Sequence, residues 1–161
     1  LSGDGIVGLS FKQEFINDVK PEIVDLINLH WEEIAVNKNI IKLNPDWHTY
    51  YELEDNNKLK IFTARFNGAL IGYFIVIISV HLHYKDHLFA TNDILYMHPN
   101  YRKGFAGIKL IKYAEKCIKE DGISVMTINV KEHKSFGVIL ERLDYTPTET
   151  VYCKALIKEH N

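Results

Sequence analysis

The run Ala69-Leu70-Ile71-Gly72-Tyr73-Phe74-Ile75-Val76-Ile77-Ile78 constrains the fold more than any other stretch of this chain. It has ten residues and no charge, too short to cross a bilayer as a helix, which takes about 20. Its β-branched and aromatic content instead favours a buried central strand. Asn67-Gly68 stands directly before it, and residues 59–66 before that form a second strand-like segment. Asn-Gly between two such segments is a hairpin signal, because both residues tolerate the positive φ of a tight primed turn. The centre of the molecule is therefore expected to be an antiparallel pair, residues 59–66 with 69–80.

The flanking segments extend this core. Residues 8–14 read as a first strand. Pro21 is expected to open a helix, where its missing N–H does no harm. Ile23, Leu26, Ile27, His30 and Ile34 follow at helical spacing. Asn44-Pro45-Asp46 caps a second helix to about Leu53, and Asp55-Asn56-Asn57 is a turn. Residues 81–87 read as a histidine-rich loop and 89–98 as the next strand. A helix over 107–120 turns Ile108, Leu110, Ile111, Ala114, Cys117 and Ile118 inward, and Asp121-Gly122 ends it. A strand over 123–130, a helix over 135–143 and a last strand over 151–157 complete an α+β pattern, an antiparallel meander followed by a β-α-β-α-β tail. No repeat or linker interrupts the 161 residues, so one domain is expected over 1–161, long enough for a real core. Residues 1–9 carry three glycines and are expected to be disordered or foreign to that domain.

Charge and cysteine content narrow the partners. A formal net charge of −2 supplies no basic field for nucleic acid. Cys117 and Cys153 are too few and too far apart for a disulfide framework, which fits a reducing cytoplasm. No basic stretch followed by an apolar run opens the sequence, so neither a secretory signal nor a membrane anchor is expected.

Residues 93–111 carry the chemistry. They read as a strand, a short basic loop containing Gly104 and Gly107, and an amphipathic helix. A loop feeding a helix N-terminus presents free backbone N–H groups and the positive end of the helix dipole, which suit a phosphate or pyrophosphate. Arg102 and Lys103 add charge there. A Walker A loop would end in Gly-Lys-Ser/Thr, which is absent, and a dinucleotide fingerprint would need three spaced glycines near a first βαβ unit. A third option is an acyl-coenzyme A loop, which follows a strand ending in an apolar-x-Pro tripeptide, here Met97-His98-Pro99, and a plain helix cap with surface basic residues is the alternative.

On these residues the chain resembles the GNAT N-acetyltransferase superfamily. Met97-His98-Pro99-Asn100-Tyr101-Arg102 matches the family's strand exit, Gly107 and Leu110-Ile111 its continuation, and Leu143-Asp144-Tyr145 its Leu-Gly-Phe/Tyr after the last helix. His30-Trp31-Glu32-Glu33 and Asn44-Pro45-Asp46-Trp47 look more narrowly like small phage acetyltransferase-like proteins, which would place the chain in a host cytoplasm. The loop departs from the pattern: Phe105 replaces the central glycine, and Gly104 comes one place early. The resemblance implies a mostly antiparallel central sheet flanked by helices, with splayed central strands holding acetyl-coenzyme A as acyl donor. Leu95, Tyr96 and Met97 would hydrogen-bond the pantetheine arm through their backbone, and Arg102, Lys103, Gly104, Phe105, Ala106 and Gly107 would hold the pyrophosphate. The implied activity is acetyl transfer to a primary amine by direct attack, the amine being a small molecule, a peptide N-terminus or a lysine.

Asp93, six residues before Pro99, stands where the family often has its general base. By period-two alternation it shares a face with Leu95 and Met97. The family's acid is a tyrosine five residues before the position of Tyr145, and here that position is Leu140. His133, Tyr152 and Tyr96 are the substitute donors. Without one, the thiolate leaves unassisted, which a thiol pKa near ~8.5 allows. Glu33 on the first helix, with Glu32 and Asp46, would attract a cationic amine, and His83 and Tyr84 in the histidine loop would touch the acceptor. Two alternatives remain: a catalytically reduced protein of this fold that engages a protein partner, and a metal-dependent hydrolase using His81, His83, His87 and Asp86. Tyr84 and Phe89 offer a surface for a homodimer.

Overall fold

The computed structural model describes residues 8–157. The expectation for residues 1–9 therefore lies mostly outside the described residues, but Leu9 is a correction to it, because it begins the first strand. The elements are β1 (Leu9–Glu14), α1 (Ile16–Ile34), α2 (Trp47–Asp55), β2 (Leu59–Phe66), β3 (Ala69–His81), β4 (Tyr84–Met97), α3 (Ala106–Glu120), β5 (Val125–Thr127) and α4 (Gly137–Arg142). Short 3₁₀ turns cover Pro99–Tyr101 and Glu132–Lys134. One sheet runs in the order β1-β2-β3-β4-β5. Its first four strands pair antiparallel, and β5 lies parallel to β4. The crossover through α3 makes that parallel pairing possible.

Alternation along β2 and β3, interrupted by a bulge at Ile71, builds two cores. Ile61, Tyr73 and Ile75 face α1, meeting Ile16, Val19, Ile23 and Ile27. Phe62, Phe74 and Val76 face the other way, meeting Leu110, Ile111, Ala114 and Ile118 of α3. The central pair has the expected hairpin: Asn67 and Gly68 both hold positive φ, 49° and 85°. Gly122, at φ 76°, ends α3 as its sequence signals.

Four expectations need correction. First, α1 starts at Ile16, not Pro21, and takes Pro21 into its second turn. Ile16 and Val19 are fully buried, and Glu54 of α2 accepts the Ile16 N–H at 2.9 Å, so tertiary contacts supply the start that local sequence lacks. Second, the histidine-rich loop is the tip of the β3–β4 hairpin: His81 ends β3 and Tyr84 begins β4. Leu82 and His83 are not turn residues by type, so this connection left no local signal. Third, β5 covers three residues rather than 123–130. Fourth, residues 151–157 form no strand. Alternating apolar residues make a strand only where an edge is available to pair with, and Val151, Tyr152 and Leu156 are exposed instead. Both cysteines are free thiols. No helix among the described residues is long and apolar enough to cross a membrane.

A buried arginine ties the first helix to the hairpin. Arg65 binds Glu14 of β1 through Nε and Nη2 at 2.8 and 3.1 Å, and its Nη1 reaches Glu22 of α1 at 2.8 Å. The same Nη1 donates to the Gly68 carbonyl at 2.8 Å. Every charge in the set is partnered, which is what makes its burial tolerable.

Gly72 allows β3 and β4 to approach at the end where β4 leaves the sheet. A Cβ there would lie 2.6 Å from Met97 Cε and 2.9 Å from the Tyr96 carbonyl oxygen. The backbone oxygen cannot swing away, so Gly72→Ala is expected to destabilise the protein by roughly 1–3 kcal/mol, measured as a lower urea midpoint with unchanged m-value.

Candidate functional site

The site grows from an irregularity in β4. Ile75 of β3 pairs with Ile94, but Val76 pairs with Asn92, which leaves Asp93 as the extra residue of a β-bulge. A bulge re-aims the side chain it carries. Leu95 and Met97 pack towards the α3 core, whereas the Asp93 carboxylate accepts a hydrogen bond from the Tyr50 hydroxyl of α2. The expected common face of Asp93, Leu95 and Met97 is thus corrected. Asp93 is also exposed, not enclosed by the apolar neighbours of a central strand. Tyr50 is half-buried. Burial, reinforced by the bond to Asp93, pushes its hydroxyl well above the usual phenol range, so Tyr50 keeps its proton and donates it.

One residue earlier, β4 and β5 separate. Their pairing spans Phe89 to Thr91 and Val125 to Thr127, and it ends at a 2.8 Å contact between the Thr91 and Thr127 hydroxyls. Asn92 then substitutes its side chain for the ladder. Its Oδ1 accepts the Asn129 N–H at 2.6 Å, and its Nδ2 donates to the Asn129 carbonyl at 3.2 Å. Beyond that bracket β4 has no strand on this side among the described residues. A cavity of about 280 Å³ occupies the gap, bounded by Asn92 to Leu95, by His30 and Ile34 of α1, and by Asn129, Lys131, Lys134 and Phe136.

A second, more open cavity of about 290 Å³ lies between α1, α2 and residues 41–45, and Asp93 and Ile94 line both cavities. Asp93 therefore stands on the wall that the two spaces share, and Tyr50 holds it there. A slot along a free strand edge and a cleft on its far side, meeting at one carboxylate, can bring two substrates together with a base between them.

In the loop into α3 the arginine is engaged within the protein. Arg102 forms a two-pronged pair with Glu33, at 2.6 and 2.7 Å, and its Nε donates to the Met97 carbonyl at 2.7 Å. Its guanidinium also lies over the Tyr96 ring, 5.7 Å from the centroid. The hydrogen bond from Arg102 holds the Glu33 carboxyl below the usual carboxylate range. The expected phosphate ligand and the expected amine-attracting carboxylate thus satisfy one another, locking α1 to the exit of β4. Phe105 caps α3 with no side-chain hydrogen bond, unlike α2, where Asp46 accepts the Thr49 N–H. Gly104 and Gly107 have no positive φ, and a Cβ on either would meet nothing within 4 Å. The protein's own packing requires neither glycine, and Gly107 weakens the first turn of the helix. Open space above uncapped N–H groups is the cradle a phosphate would fill, so these residues fit a phosphorylated donor. Lys103 is exposed beside them.

The remaining candidates are scattered. His133 is exposed in the 3₁₀ turn. Tyr152 is 93% exposed on an irregular segment, a correction to its expected place on a last strand. Tyr96 is buried, and its hydroxyl has no partner among the described residues. Leu140, at the position of the absent tyrosine, is a core residue. His83 and Tyr84 sit at the hairpin tip, nine or more residues along β4 from Asp93, roughly 30 Å at strand rise, so they do not reach this site. Among the described residues no three His, Cys, Asp or Glu side chains gather as a metal site requires. Sequence reasoning missed the pairing of Tyr50 with Asp93, the Asn92 bracket and the place of His30. Only the unusual Asn92-Asp93 pair inside an apolar strand hinted at them.

His30 makes the cavity beside β4 sensitive to acid. Burial, aided by Arg102 and Lys131 nearby, lowers it from 6.5 to about 4 against the opposing effect of Glu33. The fold thus favours its neutral form. The stabilisation is complete above pH 6.5 and declines as pH falls towards 4, because only the unfolded chain binds the proton in that window. Stability is expected to drop by roughly 2 kcal/mol between pH 7 and pH 5, and His30→Gln should remove most of that drop in urea titrations at the two pH values.

No protein-family model matches this chain, and no curated protein matches it in sequence. Solved structures do match in fold. An aminoglycoside acetyltransferase from an uncultured soil metagenomic sample, in complex with sisomicin, superposes with a TM-score of 0.71 at 17% identity, covering 94% of this chain and 97% of that one. A predicted acetyltransferase with acetyl-CoA from Clostridium acetobutylicum gives 0.67 at 12% identity, covering 92% and 96%. Glucosamine-6-phosphate N-acetyltransferase from Arabidopsis thaliana gives 0.70 at 12% identity, covering 92% and 99%. The chain has the GNAT fold.

Proposed function

We propose that this protein transfers an acetyl group from acetyl-coenzyme A to a primary amine. One observation carries the reading: Asp93, held by Tyr50, on the wall common to the slot beside β4 and the cleft beside α1 and α2. The fold shared with acetyltransferases supports it, and so do the two glycines that leave the α3 N-terminus open.

Each group then has a task. The backbone N–H groups at the start of α3, with Lys103, hold the pyrophosphate. The free edge of β4 from Leu95 to Met97 takes the amide-rich arm as a strand would. Asn92 keeps β5 away from that edge. Arg102 positions the loop through Glu33 and the Met97 carbonyl rather than touching phosphate. Asp93 accepts a proton from the incoming ammonium, and Tyr50 fixes the direction in which it accepts. Bound acetyl-coenzyme A supplies the activated thioester: the carbon–nitrogen bond forms, the carbon–sulfur bond breaks, and of the two protons lost by nitrogen one ends on the thiol and one in solvent. The sulfur needs no dedicated acid, since a thiol pKa near ~8.5 makes thiolate a fair leaving group.

Calorimetry with acetyl-coenzyme A tests the donor site. Micromolar binding is expected. Gly107→Ala should weaken it about tenfold by filling the cradle, while raising the urea midpoint because alanine suits the helix better by roughly 0.5–1 kcal/mol. No binding by the unaltered protein would sink the acetyl-transfer reading. Thiol release tests the chemistry: Asp93→Asn is expected to lower kcat by about 10²-fold with acetyl-coenzyme A affinity unchanged. Binding without thiol release for any amine would leave a coenzyme-binding protein that lacks turnover.

A further inference from the structure

Resting on the acetyl-transfer reading, we propose that the acceptor is a monoamine carried on an aromatic or apolar body, and not a polyamine or an amino sugar. The cleft on the α1 and α2 side is walled by Ile27 and Trp31, one helical turn apart on α1, and by Ile41, Leu43 and Pro45 of the connecting segment. Tyr50 closes its inner end, where its hydroxyl donates to Asp93 Oδ2. Asp93 Oδ1 accepts no hydrogen bond among the described residues, so one carboxylate oxygen remains to take an ammonium. The cleft thus pairs one anionic point with a wall of hydrocarbon and indole.

Its charge argues against a second amine. Among the described residues Asp93 is the single carboxylate lining the cleft, and Lys42 lines it too. Lys38 sits over the Trp31 ring at 5.5 Å, and its own partner is Glu32, 3.2 Å away. A polycation would lay its second ammonium against Lys42, and Glu32 is already engaged. A sugar would place hydroxyls against Ile27, Ile41 and Leu43, where water is displaced and no acceptor replaces it. Size agrees: about 290 Å³ lies at the lower limit of small-molecule sites, which begin near ~300 Å³, enough for one ring on a short arm.

The probe is 2-phenylethylamine, compared with kanamycin and spermidine. Amine binding is read without coenzyme, by calorimetry and by the fluorescence of Trp31. Acetylation is read as thiol release. 2-Phenylethylamine is expected to bind alone and to be acetylated with kcat/KM about tenfold or more above either competitor. Trp31→Ala should weaken its binding about tenfold. Ile41→Ser, at an exposed position that the core does not need, should weaken it in the same direction. Lys42→Glu should move preference towards spermidine by about tenfold. Preference for kanamycin or spermidine in the unaltered protein overturns the proposal, as does 2-phenylethylamine binding that ignores Trp31 and Ile41. If acetyl-coenzyme A binds and 2-phenylethylamine does not, the cleft assignment fails while the transfer reading stands. If the amine binds through Trp31 and the coenzyme does not bind, the transfer reading fails and the cleft assignment stands.

Discussion

A strand inside a sheet must pair its backbone groups on both sides, and β4 does so only as far as Thr91. From there its outer edge faces a gap. Leaving buried backbone polar groups unpaired is costly, so the parting needs a device that satisfies some groups and exposes the rest. Asn92 provides it by giving Asn129 both bonds a neighbouring strand would give. The bulge at Asp93 follows at once, and it turns the carboxylate across the sheet towards Tyr50. The slot beside β4, the cleft beside α1 and α2, and the wall they share all depend on these two adjacent residues.

Two arginines then hold the framework around the gap. Arg65 joins α1 to the β2–β3 hairpin through Glu14 and Glu22, and Arg102 joins α1 to the β4 exit through Glu33 and the Met97 carbonyl. With α1 fastened at both ends, His30 and Trp31 are presented to opposite cavities from neighbouring positions on one helix. This use of Arg102 has a chemical consequence. With Arg102 engaged by Glu33, the loop presents the open backbone N–H groups at the start of α3 and the exposed Lys103 to solvent.

Sequence reasoning located most elements because their signals are local. Asn67-Gly68 demanded the hairpin, Asp46 capped α2, and Asp121-Gly122 ended α3. It failed where the deciding contact was distant. Pro21 looked like a helix start because Glu54, which anchors Ile16, is remote in sequence. Residues 123–130 and 151–157 are rich in β-branched and apolar residues, but pairing depends on a free edge, and β5 ends where β4 leaves it. Asp93 was singled out by resemblance, from its place six residues before Pro99, and the structure puts it beside Tyr50. Period-two alternation gave it the wrong face, because a bulge is a property of two strands in register and not of one.

What the sequence determined by itself is the order of strands and helices from β1 to α4, the antiparallel centre, and the presence of an open, glycine-containing helix start soon after the strand that ends at Met97. These follow from period, turn chemistry and capping, all of which act over a few residues. Tertiary structure decided which groups face one another: Asp93 with Tyr50, Arg102 with Glu33, Asn92 with Asn129. Each pair spans at least 37 residues of chain. Such pairs cannot be read from local sequence, because only the packing of the sheet and α1 brings their members within hydrogen-bonding distance.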